Sequence, residues 1–178
     1  MKKICIVIQT NTKDTGVASY IKSLLVFFQS NSNYKLTILG SDVGWKNYEN
    51  KIKIIKENKY LELLRKVFVL VPFKFFGNFF VKLFDPFFKF LSKNKFDLVL
   101  YPTASSLTYF SNQKSAVCVH DLMHIYEKRF KESGGGLTYV YRQKVYRNIS
   151  KNFTAVIVDS ETGKKQFIES YNCAQKKN

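Results

Sequence analysis

Short apolar runs alternate along the chain with longer segments of helical periodicity. The run at residues 4–8 is almost continuously apolar, which is typical of a strand that is covered on both faces. Alternation of such strands with helices indicates a parallel sheet wound with helices. No linker rich in Gly, Ser or Pro divides residues 1–178, so the pattern predicts one α/β domain. Strands are predicted at 4–8, 34–39, 51–55, 96–101, 116–119 and 155–158, and helices at 17–28, 137–149 and 161–171.

Residues 60–95 depart from this rhythm and form a Phe- and Lys-rich helical insert. Lys74, Asn78 and Lys82 recur every four residues, which places them on one polar stripe of a helix. Asp85-Pro86 predicts an N-cap and the first turn of a second short helix. Apolar side chains fill most of the remaining circumference of the first helix; they are Phe73, Phe76, Phe79, Phe80, Leu83 and Phe84.

Two interpretations of this insert stay open. Lysines interrupt every apolar run well short of the roughly 20 residues that span a bilayer, so a transmembrane helix is not predicted. A helix of this type can lie in a membrane interface, and it can equally pack over the sheet as an insert. Both hold if one side faces the core and the other faces lipid. The candidate membrane-surface residues are Phe73, Lys74, Phe76, Phe79, Phe80 and Lys82.

The charge balance favours contact with polyanions. There are 29 Lys and Arg residues against 13 Asp and Glu residues, which gives a net charge of +16. Nucleic acid, anionic lipid and phosphorylated substrates are the corresponding partners. The bias of an AT-rich genome toward Lys and Asn produces the same charge without any function. No nucleic-acid-binding motif is recognisable, and the aromatic residues cluster on an apolar stretch, so no nucleic-acid partner is predicted.

Cysteine usage indicates a reducing compartment. Cys5, Cys118 and Cys173 are odd in number and show no paired spacing. The first apolar run is too short for the h-region of a signal peptide, and Gln9 and Thr10 follow it without a small-residue cleavage site. A cytoplasmic protein is therefore expected.

The first candidate site follows the first predicted strand. Gly16 lies between that strand and its helix, flanked by Thr15 and Val17. A glycine lets the backbone approach a ligand closely, and a helix N-terminus offers free N–H groups to an anion. The segment is neither a G-x-G-x-x-G nor a Walker loop, and glycine serves turns in many other loops.

The second candidate site is His120-Asp121, at the end of another predicted strand. In open α/β sheets ligands bind at the carboxyl ends of the strands. There His120 could donate a hydrogen bond to a sugar hydroxyl or phosphate, or act as an acid or base, and Asp121 could orient its ring. A structural role for His120, and a metal site with His124, are the alternatives. No metal is predicted, because these are the only two histidines and no ligand cluster accompanies them.

The third candidate site follows the last predicted strand. Asp159 or Ser160 can cap the next helix, with Glu161 well placed for the helix dipole. A ligand role is also open, because this loop lies at the same edge of the sheet as His120.

Taken in order, these segments resemble family 4 glycosyltransferases, which have the GT-B fold. The resemblance rests on KICIVIQT and TGVASYIKSLL, then FDLVLYPTASS, AVCVHDLMHIYEKRF and TAVIVDSETGKKQFIESYN. It runs over most of the chain and is weakest at residues 60–95. Such enzymes consist of two Rossmann-like domains and transfer a sugar from a nucleotide-sugar to a lipid-linked or saccharide acceptor. The chain is therefore similar to the N-terminal, acceptor-side half.

The resemblance also implies roles for single residues. Thr15, Gly16 and Val17 would lie near the donor phosphates, and His120 would contact the transferred sugar while Asp121 positions its loop. Ser105 and Ser106 would contact the acceptor or the sugar. Retention of anomeric configuration without a metal or cofactor is typical of the family, which works in cell-envelope polysaccharide synthesis. Basic and aromatic surface on this half often contacts anionic membrane, which fits a peripheral protein on the inner face of the plasma membrane.

The departures from the family pattern shape the prediction. Gly16 stands alone where the family often has a glycine pair, and the chain ends at Asn178 before the donor-binding domain with its Glu-x7-Glu carboxylates. We therefore expect the chain alone to transfer no sugar unless a donor-binding chain completes it. The alternatives are a partner subunit of a two-chain transferase and a non-catalytic membrane-surface module. A phosphohydrolase built on His120-Asp121 is less favoured because metal ligands are missing.

Overall fold

The computed structural model describes residues 1–10, 13, 15–47, 52–56, 58–71, 74–127 and 135–173. Its centre is a six-stranded sheet in which every pairing is parallel. The strands are β1 (Lys2–Ile8), β2 (Tyr34–Gly40), β3 (Ile52–Ile54), β4 (Leu98–Tyr101), β5 (Ser115–Val119) and β6 (Ala155–Val158). Their order is β3-β2-β1-β4-β5-β6. The chain therefore has the predicted α/β, Rossmann-like arrangement, with a switch point between β1 and β4.

Helices connect the strands. They are α1 (Thr15–Gln29), α2 (Lys59–Leu70), α3 (Lys74–Phe84), α4 (Pro86–Lys93), α5 (Ser106–Phe110), α6 (Met123–Tyr126), α7 (Gly136–Asn152) and α8 (Glu161–Tyr171), with a 3₁₀ turn at Val43–Asn47. All six predicted strands are present, and β6 and α8 have the predicted bounds. The prediction missed α5, α6 and the 3₁₀ turn, because four or five residues are too few to show a helical period.

The sheet has an apolar core on both faces. Cys5 and Val7 of β1 point to one face, where they join buried residues of α4, α5 and α7. Ile4, Ile6 and Ile8 point to the other face, where α1 and Trp45 cover them. Because successive strand residues alternate between faces, a strand that is covered on both sides must be apolar throughout. This explains the continuous run that marked β1 in the sequence.

The predicted insert packs against the first of these faces. Val69 of α2, Val81 of α3 and Phe87 of α4 are all buried in that core. The Asp85 side chain accepts a hydrogen bond of 2.8 Å from the Phe87 N–H, which confirms the predicted N-cap of α4. Arg65 forms a buried ion pair with the same carboxylate, so α2 is tied to the start of α4.

The outward side of the insert is apolar. Phe75, Phe76, Phe79 and Leu83 of α3 are 81%, 68%, 63% and 48% exposed. Phe80 is half-buried, Phe73 lies outside the described residues, and the Lys74 side chain is likewise not described. No helix in the described part of the chain is both long enough and apolar enough to cross a bilayer. The insert thus has one side in the core and an exposed aromatic face on the other.

Candidate functional site

Three loops and helix α1 meet at the carboxyl edge of the sheet around the ring of His120. Nε2 of the ring lies 2.8 Å from the Pro102 carbonyl oxygen, after β4, and Nδ1 lies 3.0 Å from Oδ2 of Asp159, after β6. The ring of Tyr20, on α1, meets the imidazole edge-on at 5.3 Å between centroids. The ring of His120 is therefore held from three sides and remains about a quarter exposed.

Both ring nitrogens of His120 face hydrogen-bond acceptors. The Pro102 carbonyl can only accept, so Nε2 carries a proton and donates it. An ionised Asp159 can also only accept, so the second contact is a hydrogen bond when Nδ1 carries a proton as well. When Nδ1 is protonated, a hydroxyl that comes between Nδ1 and the carboxylate can accept from the ring and donate to Asp159; when Nδ1 is unprotonated, the hydroxyl can donate to the ring instead.

A cleft of about 270 Å³ opens beside this ring, between the loops that follow β5 and β6. We call it the His120 cleft. Three carboxylates line it, those of Asp121, Glu127 and Asp159, together with the side chains of Tyr126, Ser160, Thr162 and Gln166. The walls are thus rich in acceptors, in contrast to the basic character of the whole chain. Such walls suit a ligand that donates hydrogen bonds, as sugar hydroxyls do.

The Asp121 carboxylate does not bond to the His120 ring but turns toward α6 and α7. Oδ1 accepts from the Met123 N–H at 3.1 Å and from Arg142 at 3.3 Å. The residue that orients the ring is therefore Asp159, a role that the sequence interpretation offered to Asp121. The contacts of Asp121 fit its other expected role, which is to position the loop that follows His120.

Ser160 is the N-cap of α8, and this leaves Asp159 available for His120. The Gly163 N–H donates to Ser160 Oγ at 3.0 Å. The sequence left open which of the two residues caps the helix. Asp159 is 54% exposed and lies at the mouth of the cleft.

The two serines predicted to contact the acceptor have structural partners. Ser105 is the N-cap of α5, in a capping box with Thr108, and its hydroxyl donates to the Gln9 side chain. Ser106 is buried, and its hydroxyl accepts from Nε of Arg65 at 3.1 Å. Ser106 is therefore out of reach of a ligand in this structure, whereas Ser105 is half-buried near the carboxyl ends of β1 and β4.

Gly16 is exposed in the first turn of α1, one turn before Tyr20. A Cβ atom added at Gly16 would have no heavy atom within 4 Å, so neither packing nor backbone conformation requires a glycine there. Val17 is half-buried and packs on the core under α1. Thr15 begins the helix, and its side chain is not described. The open space at Gly16 is compatible with the predicted approach of a ligand.

His124 does not join His120 at the cleft. Its ring is buried, stacks on Tyr146 with 5.0 Å between centroids, and forms a 2.9 Å hydrogen bond between Nε2 and the Tyr171 hydroxyl. Burial, helped by the positive charge of Arg142, lowers the pKa of His124 to about 4. Among the described residues no three His, Cys, Asp or Glu side chains are grouped as metal ligands would be.

Tyr20 connects the cleft to the core. Its hydroxyl lies 2.9 Å from the sulfur of Cys118 in β5, and burial together with this contact raises the pKa of the phenol well above its usual range. Burial also raises the pKa of the Cys118 thiol. Both groups therefore stay neutral, and they fix α1 against β5 rather than act as a nucleophile.

Sequence analysis missed Tyr20, Pro102 and Tyr126 as parts of the site. Tyr20 lies inside the predicted helix 17–28, where the sequence gives no sign of a ligand role, and a backbone carbonyl such as that of Pro102 leaves no signal in a sequence. Tyr126 lies on α6, a helix that was not predicted although it directly follows the His-Asp-Leu segment.

No known protein family, no curated protein and no solved structure matches this chain.

Proposed function

We propose that this domain is the acceptor-side half of a family 4, GT-B glycosyltransferase, and that a sugar binds in the His120 cleft. The observation that carries the proposal is the convergence of the loops after β4, β5 and β6 on His120, beside a cleft with carboxylate walls. In sheets of this strand order ligands bind at the carboxyl edge. The sequence resemblance to that family supports the same assignment.

The contacts favour sugar hydroxyls over phosphate in the cleft itself. A hydroxyl can accept from a protonated Nδ1 of His120 and donate to the Asp159 carboxylate, or donate to an unprotonated Nδ1. A phosphate oxygen could accept from the ring but would face the negative charges of Asp121, Glu127 and Asp159. The donor phosphates are instead assigned to the first turn of α1 at Gly16, where there is space beside the backbone and the N-terminal end of the helix dipole favours an anion.

In this proposal the nucleotide-sugar is a substrate, and the domain uses no resident metal or cofactor. His120 holds the sugar near the reacting centre, and a donor-binding domain, in the same polypeptide or on a separate chain, presents the nucleotide. The acceptor is a lipid-linked sugar or a polysaccharide, and the transfer of the sugar takes place at the cytoplasmic face of a membrane.

Thermal unfolding with candidate ligands tests this proposal. The probes are UDP-glucose, maltotriose and farnesyl diphosphate-linked N-acetylglucosamine as a soluble lipid-linked acceptor. A ligand that binds only the folded state raises Tm. We expect at least one probe to do so, His120→Ala to lose that rise, and Lys93→Ala, an exposed change on α4, to keep it. No rise with any probe, or an equal rise in His120→Ala, would contradict the proposal.

A second function, binding to a membrane surface, is favoured by the exposed face of α3. Four large apolar side chains on that face are about half exposed or more, and Lys82 lies on the same helix. A soluble protein seldom exposes so many neighbouring aromatic rings, and such patches mark sites of interaction. With a net charge of +16, an anionic lipid surface is the partner that we propose. This function is compatible with sugar transfer to a lipid-linked acceptor.

A further inference from the structure

A second polar cleft lies at the opposite edge of the sheet from His120. It has a volume of about 310 Å³ and opens between α3, the loop from α5 to β5 and the end of α7. We call it the amide cleft, because five of its lining residues are carboxamides: Asn78, Asn112, Gln113, Asn148 and Asn152. Lys82 also lines it, and none of the described lining residues is an Asp or a Glu.

The back wall of the amide cleft is fixed by hydrogen bonds. The Asn148 side chain is buried and donates from Nδ2 to the Tyr109 carbonyl at 3.0 Å. Nδ2 of Asn152 in turn donates to Oδ1 of Asn148 at 2.8 Å. Oδ1 of Asn152 makes no hydrogen bond to the part of the chain that the structure describes, so a held side chain presents a free acceptor. Groups held in this way lose little entropy when a ligand binds.

The front of the amide cleft carries polar groups without partners. The side chains of Asn78, Lys82 and Asn112 form no hydrogen bond or ion pair with any other described residue. Asn78 and Lys82 belong to the polar stripe that the sequence placed on an otherwise apolar helix. The structure shows that this part of the stripe lines the cleft, at the flank of the exposed aromatic face.

We propose that the amide cleft binds a sugar residue that bears a carboxylate or a phosphate. A carboxamide donates and accepts at once, which matches the donor and acceptor character of a sugar hydroxyl. Because no described residue of the cleft carries a carboxylate, Lys82 is available for the anionic substituent. The volume suits one sugar residue with its substituent and is at the small end of ligand pockets.

This site is separate from the proposed transferase site. The loop residue Gln113 precedes β5 and His120 follows it, so the two clefts lie at opposite ends of that strand, roughly 15–20 Å apart. Carboxylates wall the His120 cleft, whereas amides and one ammonium group wall the amide cleft. The His120 cleft therefore disfavours anionic groups, whereas the amide cleft can accept them, and binding at one does not require the other.

An NMR titration of the ¹⁵N-labelled chain tests this proposal. The probes are glucuronate, glucose 6-phosphate, glucose and inorganic phosphate. We expect the two anionic sugars to bind with Kd values of about a millimolar and to shift the side-chain amide signals of Asn78, Asn112 and Asn152. Glucose lacks the anionic group and inorganic phosphate lacks the sugar hydroxyls, so we expect both to bind about tenfold more weakly than the anionic sugars.

Two lysine variants provide the matched comparison. Lys82→Gln removes the positive charge of the cleft at an exposed position on α3, and we expect it to weaken the binding of glucose 6-phosphate about tenfold. Lys89→Gln makes the same charge change at an exposed position on α4 and should leave the affinity unchanged. Absence of shifts at the cleft, equal binding of inorganic phosphate and glucose 6-phosphate, or equal effects of the two variants would each overturn the proposal.

Discussion

Nδ1 of His120 lies 3.0 Å from Oδ2 of Asp159, although 39 positions separate the two residues in the chain. The register of the sheet brings them together. Val119, the last residue of β5, pairs with Val158, the last residue of β6, so the residues that follow each strand meet at the same edge. The contact is thus a direct result of two parallel strands that end level with each other. It places a carboxylate beside the His120 imidazole, to which we assign the binding of the sugar.

Gly16→Val tests the assignment of the α1 N-terminus to donor phosphates. Because no heavy atom lies within 4 Å of an added Cβ, we expect the free energy of unfolding to change by less than about 1 kcal/mol. Valine would obstruct a ligand that approaches the backbone, so any rise in Tm with UDP-glucose should be lost. Chemical denaturation and thermal unfolding measure the two effects.

Gly77→Ala is the contrasting variant. A Cβ atom at Gly77 would meet Cβ of Phe68 at 3.0 Å, where α2 and α3 pack closely. We expect this change to lower the free energy of unfolding by about 1–3 kcal/mol. A large loss of stability in Gly16→Val, or retention of the UDP-glucose effect, would contradict the assignment of Gly16.

The buried ion pair between Arg65 and Asp85 predicts a strong effect on stability. Asp85→Ala leaves the Arg65 charge buried without its carboxylate and removes the cap of α4, so we expect a loss of roughly 3–5 kcal/mol in urea unfolding. Lys66→Ala, which breaks the exposed pair with Glu62 one residue along the same helix, should cost less than about 0.5 kcal/mol. Similar losses in the two variants would show that the insert is not fixed through Asp85.

The burial of His124 predicts a dependence of stability on pH. Its pKa is about 4 in the folded state against about 6.5 when unfolded. Between these values the unfolded chain binds more protons, so stability falls as the pH decreases from about 6.5 to 4, by up to about 3 kcal/mol. His124→Phe keeps the stacking on Tyr146 but cannot titrate. Urea unfolding across this pH range should therefore show a smaller loss of the free energy of unfolding in the variant than in the unmodified chain. Parallel dependences of that free energy on pH would contradict the prediction.

The exposed face of α3 predicts binding to anionic vesicles. Phe79→Ser should reduce co-sedimentation with vesicles of phosphatidylglycerol and phosphatidylcholine by about tenfold, because a side chain that is 63% exposed no longer enters the interface. Phe27→Ser removes a ring that is 56% exposed on α1 and should have no effect. Equal binding of both variants would assign any lipid affinity to charge alone.

The layered fold could be predicted from the sequence because its signals are local. The strand at β6 and the helix α8 follow from an apolar run, a Ser-Glu cap and a helical period within 17 residues, Ala155 to Tyr171. The Asp85-Pro86 start of α4 is likewise contained in two neighbouring residues.

The site could be predicted only in part because its contacts are distant in sequence. His120 was found as a polar residue after a strand, yet its orienting carboxylate, Asp159, depends on strand order and register. The resemblance to the family implied a ligand contact for Ser106, and nothing near this residue in the sequence reveals Arg65, which lies 41 positions earlier and donates to its hydroxyl. Local patterns place residues at an edge of the sheet, while tertiary packing decides which of them stay accessible.

The most direct test of the central claim is to map sugar binding onto the carboxyl edge of the sheet. The ¹⁵N-labelled chain would be titrated with maltotriose and with farnesyl diphosphate-linked N-acetylglucosamine. If the His120 cleft binds the sugar, the amide signals of His120, Met123 and Ser160 shift together, and the shifts vanish in His120→Ala. Shifts confined to the opposite edge of the sheet, or none with either probe, would contradict the assignment of this cleft as the sugar site of a glycosyltransferase.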